Sequence, residues 1–182
     1  MVQNAAPPAF VYKLKKGANN LAIFVVFSLA MIMLDQLLKV WATASLAPIG
    51  QHAFLPGLVR LNYVLNDGMA FSMFGGARWA LVLLTTVALV AVAVYILWKK
   101  PTGMLFWALS FMFAGGVGNL IDRIRTGVVV DYLEFEFITF PVFNFADILI
   151  TCGAALLFLW AVIDTVQENK RKPEQEQQDG TN

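Results

Sequence analysis

The sequence predicts an all-α membrane protein: four transmembrane helices with a small extracytoplasmic β-containing region. Three observations predict it. Hydrophobic residues fill 59% of the 182 positions and charged ones 14%, with a mean hydropathy of +0.68, too apolar for a soluble domain whose surface must meet water. Four apolar runs approach the roughly 20 residues that a helix needs to cross a bilayer core. Between the first two runs lies a stretch too interrupted to span, Ser45 to Arg78, broken by Pro48, Gly50, Pro56, Gly57, Gly68, Gly75 and Gly76.

Each element follows from its residues. Residues 1–20 are polar and hold Lys13, Lys15 and Lys16, which suits a mobile cytoplasmic tail. The first span, about 21–41, carries Asp35, Gln36 and Lys39. A cleavable secretory leader competes for this stretch, with Ala42-Thr43-Ala44 as its cleavage site, but Asp35 and Lys39 interrupt the apolar core such a leader keeps free of charge. In region 45–78, Leu58 to Leu65 has strand-like content and Asn66-Asp67-Gly68 is a turn signal, predicting a small sheet lying on the membrane. The second span, about 79–98, stops at Lys99-Lys100-Pro101, and the third covers about 104–121. In loop 123–144, Asp131 ends a β-branched run and therefore sits on an extended segment. The fourth span, about 145–163, closes the transmembrane domain of residues 21–166. A Gln/Glu-rich tail from 167 to 182 is expected to be disordered and cytoplasmic.

Basic residues set the orientation. The N-terminal tail, the Lys99-Lys100 turn and the C-terminal tail hold eight of the thirteen Lys and Arg, whereas the other two connections hold Arg60, Arg78, Arg123 and Arg125. By the positive-inside rule both termini are cytoplasmic, and the two elaborated loops share the opposite face. One cysteine and one histidine, Cys152 and His52, leave no material for a disulfide framework, a cysteine zinc site or a His-rich metal site.

The polar residues at membrane depth have ordinary explanations when taken singly. Asp35 and Lys39 are one helical turn apart and can pair. The cluster Gly115-Gly116-Val117-Gly118 lets helices approach closely. Asn119, Asp122 and Arg123 share a helix face, each free to meet another segment. Asn144 and Asp147 have the spacing of an N-terminal cap on the fourth helix. Glu134 and Glu136, alternating with Phe135 and Phe137, fit the solvated face of a strand. Their coincidence on one side says more: Asp131 and Asp147 can meet at the outer interface. Two carboxylates sharing a site cannot both ionise readily, so one keeps a proton while the other serves as a base, as in aspartic proteases.

Five ordered motifs, Asp35-Gln36-Leu37-Leu38-Lys39, Asn66 to Ser72, Gly115 to Arg123, Gly127 to Asp131 and Phe143 to Asp147, resemble those of the lipoprotein signal peptidase (signal peptidase II) family. The resemblance covers the chain apart from its tails. It implies a bacterial inner-membrane aspartic endopeptidase that removes the signal peptide from diacylglyceryl-modified prolipoproteins, cleaving before the lipidated cysteine. Asp131 and Asp147 then match the catalytic pair, and Asn66, Asn119, Asp122, Arg123 and Asn144 match polar residues that orient the pair, hold substrate or fix the third and fourth helices. Asp35 matches a position that braces the first span. Met69 stands where the family most often has Ala, and Tyr132 where Phe is common; neither change removes a functional group. The expected partners are the lipidated prolipoprotein and membrane lipid, with no nucleic acid, no metal and no cofactor, and the chain is expected to act as a monomer. A small channel or transporter, with its acids forming a proton or ion pathway, is the competing class.

Overall fold

The computed structural model describes residues 9–68 and 77–179; the first, Ala9, opens helix α1. In chain order the elements are α1 (Ala9–Ser45), β1 (Gln51–Leu55), β2 (Val59–Asn66), α2 (Arg78–Lys99), α3 (Gly103–Arg125), β3 (Val129–Phe135) and α4 (Phe145–Asp179). Four stretches are long and apolar enough to cross a membrane: Asn20–Ser45, Arg78–Lys99, Gly103–Arg125 and Phe145–Glu168.

Helix α3 is the centre of the bundle. Half of its apolar window is buried inside the protein, against 17% for each of the other three. Its glycines explain why neighbours come so close. A methyl on Gly115 would collide with the Ala146 carbonyl of α4, one on Gly116 with Leu89 of α2, and one on Gly118 with the Asp35 carboxylate of α1. On α4, Gly153 answers in kind against Met112 and the Ala108 carbonyl. In lipid, where apolar side chains gain nothing from leaving water, this backbone-to-backbone fit is what holds helices together. The outward faces of α1, α2 and α4 present Val26, Leu37, Leu83, Val87 and Phe158, the surface a lipid solvent demands.

Two connections fix the ends. After α2, Lys100 adopts a left-handed conformation (φ 49°) and its N–H donates to the Ile96 carbonyl at 3.0 Å. With Pro101 next, the helix cannot continue. At the far end of α3, Arg78 donates through Nε to the Arg123 carbonyl at 2.7 Å and through Nη2 to the Ile124 carbonyl at 2.6 Å. A cation is thereby placed on the negative end of the helix dipole.

The strands form one antiparallel sheet in the order β1-β2-β3. It sits where α1 and α3 end and α2 and α4 begin. Register pairs Val64 with Asp131 and Asn66 with Val129, with an irregularity between Leu61 and Val64. Ala42, Leu46, Leu61 and Tyr132 pack the sheet onto the last turn of α1.

The structure bears out the four-span class and the small sheet. It corrects the tails: α1 is already helical at Ala9, and α4 continues to Asp179 where disorder was expected from 167. Leaving the apolar run ends burial in lipid but not helix propensity, and the run of Gln, Glu and Lys after Val166 consists largely of good helix formers. The third span also runs on to Arg125 instead of stopping near 121. Met69 and the rest of residues 69–76 lie outside the described residues.

Candidate active site

Asp131 lies on β3, directly opposite Val64, and is 2% exposed. Asp147 stands in the first turn of α4. Both line one cavity of about 400 Å³ at the sheet end of the bundle, together with Asn66, Asn119, Arg123 and an apolar wall that includes Phe140 and Ile148.

Every oxygen of the two carboxylates accepts one N–H. Asn144 Nδ2 donates to Asp131 Oδ1 at 2.6 Å, and Asn66 Nδ2 to Asp131 Oδ2 at 2.9 Å. Asn119 Nδ2 donates to Asp147 Oδ1 at 2.8 Å, and the Asn144 backbone N–H to Asp147 Oδ2 at 3.0 Å. The last bond belongs to a reciprocal cap, since the Asp147 N–H donates back to Asn144 Oδ1 at 3.1 Å. Capping and site are therefore one arrangement. The spacing that looks like an ordinary helix start is also what aims Asp147 into the cavity.

Burial dominates the electrostatics of Asp131. Loss of water raises its pKa to about 6, the nearby Asp147 charge pushes the same way, and the amide donors of Asn66 and Asn144 work against both. Neighbouring Tyr132, 3% exposed, has its phenol raised by burial in the same way. On the open face of the sheet the opposite holds. Glu134 is lowered because Arg60 donates to it through Nε at 2.7 Å and Nη2 at 2.8 Å, with Asn62 Nδ2 adding a bond at 2.7 Å.

All eight expected site residues fall into one connected region. Arg123 Nη2 donates to the Gly68 carbonyl at 2.8 Å, tying α3 to the end of the β2 turn, while Gly68 N–H donates to Asn66 Oδ1 at 2.9 Å. Asp122 faces away from the cavity, toward α1, where Gln36 Nε2 donates to its Oδ1 at 3.1 Å and Lys39 Nζ approaches its Oδ2 at 2.8 Å. Asp35, fully buried, accepts the Ala146 N–H of α4 at 3.1 Å and pairs with Lys39 at 2.9 Å, so it braces two helices. From the sequence, Lys39 is no more than a partner for Asp35, and Gln36 has no role. The available signal was the presence of three polar residues in one turn of a span, which is costly unless each has a partner.

By fold and site this is a multi-span membrane protein with paired, amide-clamped aspartates over a largely apolar cavity. The comparisons narrow this. A family model described as Signal peptidase (SPase) II matches residues 27–163, and this chain belongs to that family. It is 43% identical to the lipoprotein signal peptidase of Lactococcus lactis subsp. lactis (strain IL1403) over 73% of this chain and 89% of that one. It is 37% identical to the one from Latilactobacillus sakei subsp. sakei (strain 23K), over 75% and 91%. A bacterial membrane enzyme solved by the in meso method at 2.3 Å superposes with a TM-score of 0.74 at 27% identity, covering 79% of this chain and 90% of that one.

Proposed function

We propose that the protein is an aspartic endopeptidase of the bacterial cytoplasmic membrane that removes the signal peptide from diacylglyceryl-modified prolipoproteins, cutting before the lipidated cysteine. The observation that carries the catalytic type is that Asp131 and Asp147 face one cavity with all four oxygens oriented by N–H donors. Such a pair needs no other nucleophile. The ionised aspartate takes a proton from a water molecule as its oxygen attacks the scissile carbonyl carbon, while the protonated partner hydrogen-bonds the carbonyl oxygen. Collapse of the tetrahedral adduct breaks the C–N bond as a proton reaches the leaving amine. Asn66, Asn119 and Asn144 hold the pair, and Arg123 anchors the turn after β2.

The apolar cavity wall suits a substrate whose acyl chains stay in the bilayer and whose signal helix lies beside α4. With both termini cytoplasmic by the basic-residue rule, the sheet and cavity open on the outer face. The distribution of charge weighs against a channel: Asp35, Lys39, Asp122, Arg123, Asp131 and Asp147 gather at the sheet end, and α2 has no charge between Arg78 and Lys99. The test is incubation of purified protein with a diacylglyceryl-modified precursor and an unlipidated control, alongside ion flux in liposomes. A size shift confined to the lipidated precursor, without flux, supports the proposal; flux without cleavage overturns it.

A further inference from the structure

Lys39 is a buried ammonium for which the two-aspartate chemistry has no direct use. It lies in α1, 3% exposed, with Nζ 2.9 Å from Asp35 Oδ2, 2.8 Å from Asp122 Oδ2 and 2.9 Å from Asn119 Oδ1. The two carboxylates already neutralise it. The third contact is to a neutral amide, and it has a consequence for the site.

A primary amide can be seated either way round, and the two seatings exchange a donor for an acceptor. An ammonium has three donors and no acceptor, so beside Lys39 only the oxygen of Asn119 is tolerated. With Oδ1 held there, Nδ2 points at Asp147 Oδ1, 2.8 Å away. The same Oδ1 also accepts Asn144 Nδ2 at 3.1 Å, and that nitrogen donates to Asp131 Oδ1. The other two amides are set by backbone donors: Asn144 Oδ1 by the Asp147 N–H, and Asn66 Oδ1 by the Gly68 N–H. Among the described residues Asn119 has no such backbone donor; its oxygen is held by two side-chain donors, Asn144 Nδ2 at 3.1 Å and Lys39 Nζ at 2.9 Å, and of these Lys39 is the shorter and the charged one.

We propose that Lys39 is a positioning residue for the peptidase: its ammonium, together with Asn144 Nδ2, holds the Asn119 amide oxygen so that the amide nitrogen donates to Asp147. The inference rests on the aspartate-pair reading above. The charged groups facing Lys39 are Asp35 from its own helix and Asp122 from α3. Those around Asp147 are Asp131 from β3 and Arg123 from α3. The Lys39 charge also reaches Asp131 and favours its ionisation directly, so the loss of rate that vanishes without Asn119, and not the pH profile alone, is what reports on the amide.

The test is a double-mutant cycle in purified enzyme on a lipidated precursor: Lys39→Met, Asn119→Ala and the two combined, each with kcat, KM, a pH profile of kcat/KM and a melting temperature. One hydrogen bond to a charged group corresponds to about 10- to 100-fold in rate. Lys39→Met is therefore expected to lower kcat about 10- to 100-fold with KM changed less than about twofold, and to displace the pH profile. In the Asn119→Ala background the same substitution costs less than about twofold in kcat. Lys39→Arg, which keeps a cation that only donates, restores part of the rate and the wild-type pH profile. Should Lys39→Met fail to fold, Lys39→Met/Asp122→Asn removes one buried carboxylate with the ammonium, and is read against Asp122→Asn alone. A wild-type kcat and pH profile in a folded Lys39→Met variant, or the full penalty persisting without Asn119, overturns the inference. Asp131→Asn in the same assay separates the two levels. If it keeps its activity the aspartate-pair reading itself fails, and if it is inactive while Lys39→Met is normal, only the role of Lys39 does.

Discussion

Asn144 holds Asp147 by its backbone and Asp131 by its side chain: the N–H meets Asp147 Oδ2 at 3.0 Å and Nδ2 meets Asp131 Oδ1 at 2.6 Å. One fully buried residue at the start of α4 thus sets the relative position of two acids from different elements. Asn144→Ala removes the side-chain donor to Asp131 and the cap acceptor for Asp147. The expected result is a kcat reduced by about 100-fold or more, with stability lowered by about 1–2 kcal/mol from the lost cap. Turnover and thermal unfolding of the same preparation check it. Asn144→Ser, which keeps a capping oxygen but cannot reach both acids, recovers stability without recovering rate.

The raised pKa of Asp131 makes stability pH-dependent in a definite direction. The folded value of about 6 lies above the ordinary 3.8, so the fold favours the protonated carboxyl. That contribution is fully present below about pH 3.8 and is lost as pH rises through about 6. Asp131→Asn cannot titrate. Relative to wild type, the variant gains up to about 3 kcal/mol between about pH 4 and about pH 7.5, at roughly 1.4 kcal/mol per unit. Melting temperatures of both proteins across that range test this, and a constant difference contradicts it.

Asn66 acts on the same group from the other side. Its amide donates to Asp131 Oδ2 and holds the pKa down. Asn66→Ala therefore moves the ionisation of Asp131 to higher pH, and the limb of the kcat/KM profile that follows Asp131 moves with it. Asp67→Asn, at an exposed neighbouring position, is expected to leave that limb in place.

Gly118 faces Asp35 across the α1–α3 contact, and a Cβ there would stand 2.5 Å from Asp35 Oδ2 and 3.0 Å from its Cγ. Asp35 cannot yield easily because Lys39 and the Ala146 N–H hold it from two directions. Gly118→Ala should lower stability by about 1–3 kcal/mol, the usual cost of overpacking. Thermal unfolding in detergent reads it directly.

Much of this was legible because it is local. Four apolar runs give four spans, the valines before Asp131 give a strand, and the spacing of Asn144 and Asp147 gives a cap. What was illegible is what depends on pairing across the chain. That β3 joins the hairpin of β1 and β2 is a register between residues 59–66 and 129–135, and neither segment signals its partner. The contact of Lys39 with Asn119 joins two helices 80 positions apart. Composition shows that a buried Lys must be satisfied, but only packing shows by whom. The helical extensions were missed for another reason: a polar tail and a polar helix differ little in composition, and propensity decides between them.

The proposed mechanism stands on joint activation of a single water by Asp131 and Asp147. Single-turnover cleavage of a lipidated precursor by purified Asp131→Asn and Asp147→Asn, with folding confirmed by melting temperature, tests it most directly. Each change is predicted to lower the rate by about 1,000-fold or more, since neither acid can supply the other's proton transfer. Near-normal cleavage by either folded variant would contradict it.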